Sequence, residues 1–232
     1  MKINDLFDCV YYINLDARKD RDDKFWELHD GLLDKQTTKR ISAFDARNFS
    51  CNTDYNGIVN ARAGISVSYI KPFLDALDNN FKEILILEDD AEPFFESSSE
   101  LSDAILSANS RAYDILFLGG SVQSNLTREC EDLFRLDGNI LATQAVAYNN
   151  RNNFFERMLK FPKEHEEMVP FLSNNGGICM DTIIGQFLTK EFNSFLSSKL
   201  LYGQFESLSD IEVLVTAYNP DMKRRFEEFS QP

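Results

Sequence analysis

Short apolar runs alternate with amphipathic stretches along most of this chain, a pattern that predicts an α/β fold. The first run, Val10-Tyr11-Tyr12-Ile13-Asn14-Leu15, reads as a strand. Residues 21–33 place Phe25, Leu28 and Leu32 at helical spacing and predict a helix. Residues 41–46 predict a second strand. Val67, Ile70, Leu74 and Leu77 share one face of a helix expected over 65–77, kinked or split at Pro72. Ile84-Leu85-Ile86-Leu87 then reads as a buried strand.

Further along, a Ser and Glu cap opens a helix over 97–108. A buried strand begins at Asp114 and ends in Gly119-Gly120, a pair that serves either a turn or a close backbone approach to a ligand. A strand over 140–148, a short helix over 154–159, a helix opening at Asp181 and a final strand over 211–217 follow. The last residues, 221–232, predict a charged helix or a partly disordered tail. No linker or repeat interrupts the pattern, so the expectation is a single domain over 1–232.

Composition narrows the function classes. The net charge of −14 argues against a nucleic-acid partner, which needs basic patches. No segment approaches the roughly 20 consecutive apolar residues of a membrane span. The N-terminal residues lack the apolar core of a secretory signal, and the expected location is cytoplasmic. The four cysteines form no CxxC pair, which argues against zinc and for free thiols, with Cys9 a small core residue. His29 and His165 read as surface residues. Short basic groups occur at Arg18, Lys19 and Arg21, at Lys39 and Arg40, and at Lys223-Arg224-Arg225.

The strongest chemical signal is where the four-residue apolar run Ile84 to Leu87 stops. Leu87 is followed at once by Glu88-Asp89-Asp90, then Ala91-Glu92-Pro93. Such acids can be a solvated turn or a helix cap. Packed together at the end of a buried strand, they repel one another unless a positive group sits there. A divalent cation with oxygen ligands meets that need. The carboxyl end of a parallel strand is also where open α/β sheets bind ligands.

Several segments, taken in order, resemble glycosyltransferase family 25, which includes lipooligosaccharide and collagen galactosyltransferases. They are Tyr12-Ile13-Asn14-Leu15-Asp16 with Arg18 and Arg21, Ala43-Phe44-Asp45-Ala46, Gly64 to Ser68, the apolar strand and acidic run from Leu85 to Asp90, Asp114 to Gly119, Thr143 to Tyr148, Asp181, and Ser209-Asp210-Ile211. The chain departs from the family pattern at Ser68-Tyr69, where the family carries Ser-His.

The resemblance implies a GT-A type Rossmann-like fold, with a central mixed, mostly parallel sheet flanked by helices. It implies an inverting, metal-assisted transfer of a hexose, galactose or glucose, from a nucleotide-sugar such as a UDP-hexose to a glycan or protein hydroxyl, as in lipopolysaccharide biosynthesis. Asp90 is then the metal ligand, for Mn2+ or Mg2+. Glu88 or Asp89 holds ribose or sugar hydroxyls. Arg18 and Arg21 face the diphosphate. Asn14 and Asp16 border the nucleobase, and Asp45 reaches base or ribose. Inversion needs a general base, for which Asp181 is the first candidate and Asp210 the second. Two other readings stand beside this one: a non-catalytic nucleotide-sugar or glycan-binding relative, which Tyr69 favours, and a metal-dependent phosphohydrolase.

Overall fold

The computed structural model describes residues 1–45, 58–95, 97–164, 180–205, 207–208, 215–216 and 218–230. Two strands at its centre set the architecture. β1 (Cys9–Asn14) is buried at all six positions, and β3 (Glu83–Glu88) is buried over its middle four. Apolar runs of this kind suit strands covered on both faces. β1 pairs in parallel with β2 (Thr38–Ser42) on one side and with β3 on the other.

The remaining strands are β4 (Ala91–Pro93), β5 (Ile115–Phe117), β6 (Ser121–Val122), β7 (Thr127–Cys130), β8 (Leu133–Arg135), β9 (Ile140–Leu141), β10 (Ala145–Asn149), β11 (Ser194–Ser197), β12 (Tyr202–Gln204), β13 (Ser207–Leu208) and β14 (Val215–Thr216). The main sheet has the order β2-β1-β3-β10-β5-β11-β8-β7. β10 is antiparallel to both its neighbours and β8 is antiparallel to both of its own, so six of the eight strands share a direction. The sheet is thus mixed and mostly parallel, as expected, with helices on both faces.

Those helices are α1 (Lys19–Leu28), α2 (Ile58–Asp78), α3 (Ser98–Ser110), α4 (Phe154–Glu164), the composite α5 and α6 (Tyr218–Phe229). α5 consists of Met180–Thr182, a wider π-type stretch Ile183–Leu188, and Thr189–Glu191. Alternation along each strand divides the interior in two. Tyr11, Ile13, Ile84 and Ile86 pack with Tyr69 and Phe73 of α2, while Val10, Tyr12, Leu85 and Leu87 pack with Phe25 of α1 and Leu101 of α3.

Some elements differ from the sequence expectation for identifiable reasons. α2 continues through Pro72. The lost N–H and ring clash cost about 3 kcal/mol, but Tyr69, Phe73 and Ala76 on either side are fully buried and hold the helix in place. The strand expected over 140–148 is divided into β9 and β10, because Ala142 takes a left-handed backbone (φ 68°). The second strand lies earlier than expected, at 38–42. Gly119 lacks a side chain because the Tyr202 carbonyl packs against it. The close approach there is made by the chain's own backbone.

His29 is fully buried, not on the surface. Its ring stacks on Phe25 at 4.1 Å and faces Tyr202 at 5.9 Å, and Nδ1 lies 2.8 Å from the Phe25 carbonyl. The segment expected as a tail forms α6, with Met222 buried and Phe226 and Phe229 against the core. Cys9 is a buried free thiol. Residues 46, 165, 209–214 and 217, which carry parts of the predicted elements as well as His165 and Asp210, lie outside the described residues.

Candidate functional site

The chain leaves β1 through α1 toward β2, crosses back through α2 to β3, and thereafter builds outward on the other side. The carboxyl ends of β1 and β3 therefore lie where the connections diverge. In open α/β sheets such a switch point is where a ligand crevice forms. Asn14 ends β1 there, and Glu88 ends β3.

Strand alternation separates the three acids instead of clustering them. Glu88 follows Ile84 and Ile86 onto the α2 face. Its Oε1 accepts a hydrogen bond from the Thr143 hydroxyl at 2.6 Å and faces the Tyr69 hydroxyl at 3.0 Å. Tyr69 is fully buried, and its hydroxyl also donates to the Thr143 carbonyl at 2.7 Å. Asp89 points to the opposite face, where Asn14 Nδ2 donates at 2.8 Å and Arg21 at 2.9 Å. The same Arg21 nitrogen lies 3.3 Å from Asp90 Oδ2.

The positive group that the acidic run demands is thus supplied from within the chain. Arg21 sits in the first turn of α1 and turns inward. Its side chain is 10% exposed, against 10% for Asp89 and 5% for Asp90. Asp90 Oδ2 accepts a second hydrogen bond from Gln204 Nε2 at 2.7 Å. Asp90 Oδ1 is buried with no hydrogen-bond partner among the described residues.

Burial dominates the electrostatics. It pushes the Glu88 carboxyl up to about 8, with the charges of Asp90 and Asp181 adding and the Thr143 and Tyr69 hydroxyls opposing. Burial also pushes Asp89 up to about 6, aided by Asp90 and opposed by Arg21 and Asn14. Asp90 is raised by burial against the pull of Arg21 and Gln204.

The other residues singled out in the sequence lie around this centre. Arg40 donates to Asn14 Oδ1 at 2.6 Å and pairs with Asp16 at 2.8 Å, and Ser42 also donates to Asp16. Arg18 forks onto neighbouring Asp20, and its carbonyl receives Asn14 Nδ2. Asp45 is half-buried just beyond β2. Asp181 opens α5, takes the Thr182 N–H at 2.7 Å, and lies near enough for its charge to act on Glu88. Sequence reading missed Gln144 and Gln204. Both are isolated polar residues at strand ends, with no spacing signal to mark them.

Among the described residues no group of three or more His, Cys, Asp or Glu side chains converges in the manner of a metal cage. One feature nonetheless fits a cation. The bare, buried Oδ1 of Asp90 is a hard oxygen donor, and Mg2+-type ions bind through one or two carboxylates with substrate phosphates and water completing the shell.

No known family profile matches the chain, and no curated protein sequence does. Solved structures resemble it in part. A197 from STIV is 10% identical, with a TM-score of 0.45 over 86% of each chain. A mannose-1-phosphate geranyltransferase from Thermus thermophilus is 10% identical, with a TM-score of 0.46 over 82% of this chain and 72% of that one. A UDP-glucose pyrophosphorylase complexed with UDP-glucose is 10% identical, with a TM-score of 0.43 over 96% and 79%. Scores this low carry no functional assignment, which has to come from the residues themselves.

Proposed function

We propose that the chain is a glycosyltransferase of the GT-A type that transfers a hexose from a nucleotide-sugar, a UDP-hexose first among them, to a glycan or protein hydroxyl. One observation carries the reading: at the switch point between β1 and β3, Asp90 is held through Oδ2 while Oδ1 stays buried with no hydrogen-bond partner among the described residues. The ordered resemblance to glycosyltransferase family 25, which converges on the same residue, supports it.

In this reading Asp90 holds Mn2+ or Mg2+ through Oδ1. The ion, when bound, supplies Lewis-acid stabilisation of the charge that develops on the departing diphosphate. Asn14 and Arg21 keep Asp89 and Asp90 in place. Arg18 stands at the rim for the diphosphate, Asp16 and Asp45 border the nucleoside, and Glu88 or Asp89 serves ribose or sugar hydroxyls. Asp181, on the Glu88 side, takes the proton of the acceptor hydroxyl, with Asp210 as the alternative base.

The test is a panel of nucleotide-sugars screened for thermal stabilisation with and without Mn2+, followed by assay of nucleoside diphosphate release. A ligand that binds only the folded state raises the melting temperature. Metal-dependent stabilisation with slow release of nucleoside diphosphate is the expected result. Absence of both for every nucleotide-sugar would refute the reading, and turnover of simple phosphate esters instead would point to a phosphohydrolase. A second reading, a non-catalytic binding relative, is favoured by Arg21, whose guanidinium already offsets one of the two charges of Asp89 and Asp90. It predicts binding without turnover.

A further inference from the structure

Asp90 is held by a residue that arrives from the far end of the chain. β12 pairs antiparallel with β4, and this register sets Gln204 opposite Ala91. The Phe205 N–H donates to the Asp90 carbonyl at 3.0 Å, fixing the backbone there as well. Gln204 is itself oriented. Gln144, 2% exposed and just before β10, donates from Nε2 to Gln204 Oε1 at 3.1 Å. That contact commits the Gln204 carbonyl to Gln144 and turns its NH2 toward Asp90, which accepts at 2.7 Å. Behind Gln144 stands Met222 of α6, buried, with its sulfur 3.7 Å from Nε2.

We propose that Gln204, oriented by Gln144, is a positioning residue for Asp90: the amide relay occupies Oδ2 and leaves Oδ1 as the ligand atom for a divalent cation. The inference rests on the function proposed above. The relay has a fixed polarity. An amide can donate to Asp90 and accept from Gln144 at once, which neither a carboxylate nor an apolar side chain does. Groups that hold a metal-binding carboxylate from behind typically cost about 10–100-fold in metal affinity or activity when removed.

The experiment is a Mn2+ titration that reads free Mn2+ directly by electron paramagnetic resonance, on the full chain without donor or acceptor. Wild type, Gln204→Met and Gln144→Met are compared. Gln204→Met should weaken Mn2+ binding at least about tenfold, and Gln144→Met by less, since Gln204 then keeps its place but loses its orientation. Wild-type affinity in Gln204→Met overturns this proposal and leaves the function proposed above standing. Where the wild type binds Mn2+ only once UDP supplies phosphate oxygens, the three proteins are compared with UDP present, and no Mn2+ binding under either condition overturns both. Should Gln204→Met fail to fold, Gln144→Met decides, and unchanged Mn2+ affinity in that variant overturns the relay.

Discussion

Replacing Arg21 by methionine tests the electrostatic core of the site. Arg21, Asp89 and Asp90 are each at most 10% exposed at the side chain, so screening by solvent is slight. Removing one partner of a buried ion pair costs about 3–5 kcal/mol. That is a large share of the roughly 5–15 kcal/mol that holds a domain folded. The loss should also depend on pH. Burial already raises Asp89 to about 6 in the native chain, although Arg21 opposes it. Without the guanidinium both carboxyls rise further above their unfolded values. A raised native pKa means that the folded state binds protons more readily than the unfolded one, so stability recovers as pH falls. The deficit of Arg21→Met should therefore be full at about pH 8 and shrink at about pH 5, where the acids are protonated. What remains is the roughly 1–3 kcal/mol of a neutral buried polar group left unpaired. Urea unfolding followed through Trp26, whose ring packs on Tyr12 and Phe25 beside the site, gives the measurement. A deficit equal at both pH values would show that Arg21 acts by packing and refute the argument. So would a deficit under about 1 kcal/mol at the higher pH.

Three further outcomes are expected. Asp90→Ala should keep the far-UV circular dichroism of the wild type and lose metal-dependent nucleoside diphosphate release by at least about a hundredfold, read by a coupled assay; wild-type rates would move the site elsewhere. Tyr69→Phe removes the hydroxyl shared by the Thr143 carbonyl and Glu88, and should cost about 1–3 kcal/mol in denaturant unfolding, because buried acceptors are left unmet. Burial lowers the His29 ring to about 4 from an ordinary 6.5, so the unfolded chain takes up a proton that the native chain refuses. Stability from this residue should be intact above the ordinary value and fall by about 3 kcal/mol as pH drops through that window, a slope that His29→Gln should flatten.

Much of the sheet was legible in the sequence because its central strands are covered on both faces. The runs at β1 and β3 are apolar without interruption, and such runs announce themselves whatever their partners. The carboxyl end of β3 was equally plain, since an apolar run that stops at three acids is an abrupt change. The way those acids are used was not legible. Whether Arg21 faces solvent or the interior depends on the rotation of α1 over the sheet, which three apolar positions on that helix do not fix. The ribbon of β4 and β12 was hidden for another reason. Three-residue strands far apart in the chain leave no periodicity, so Gln204 had no signal. His29 looked like a surface residue because Tyr202, one of the two rings stacked on it, lies more than a hundred positions away in sequence.

The two groups that grip Asp90 reach it from opposite directions along the chain. Arg21 precedes it by 69 residues, and Gln204 follows it by 114. During synthesis, which delivers the N-terminal part first, the acid can meet its arginine long before its glutamine exists. A nascent chain released early would carry a half-made pocket, paired with its arginine but not yet aimed. The pocket takes its final form only once the chain has emerged as far as Gln204, so its aim is set by residues made long after the acid itself.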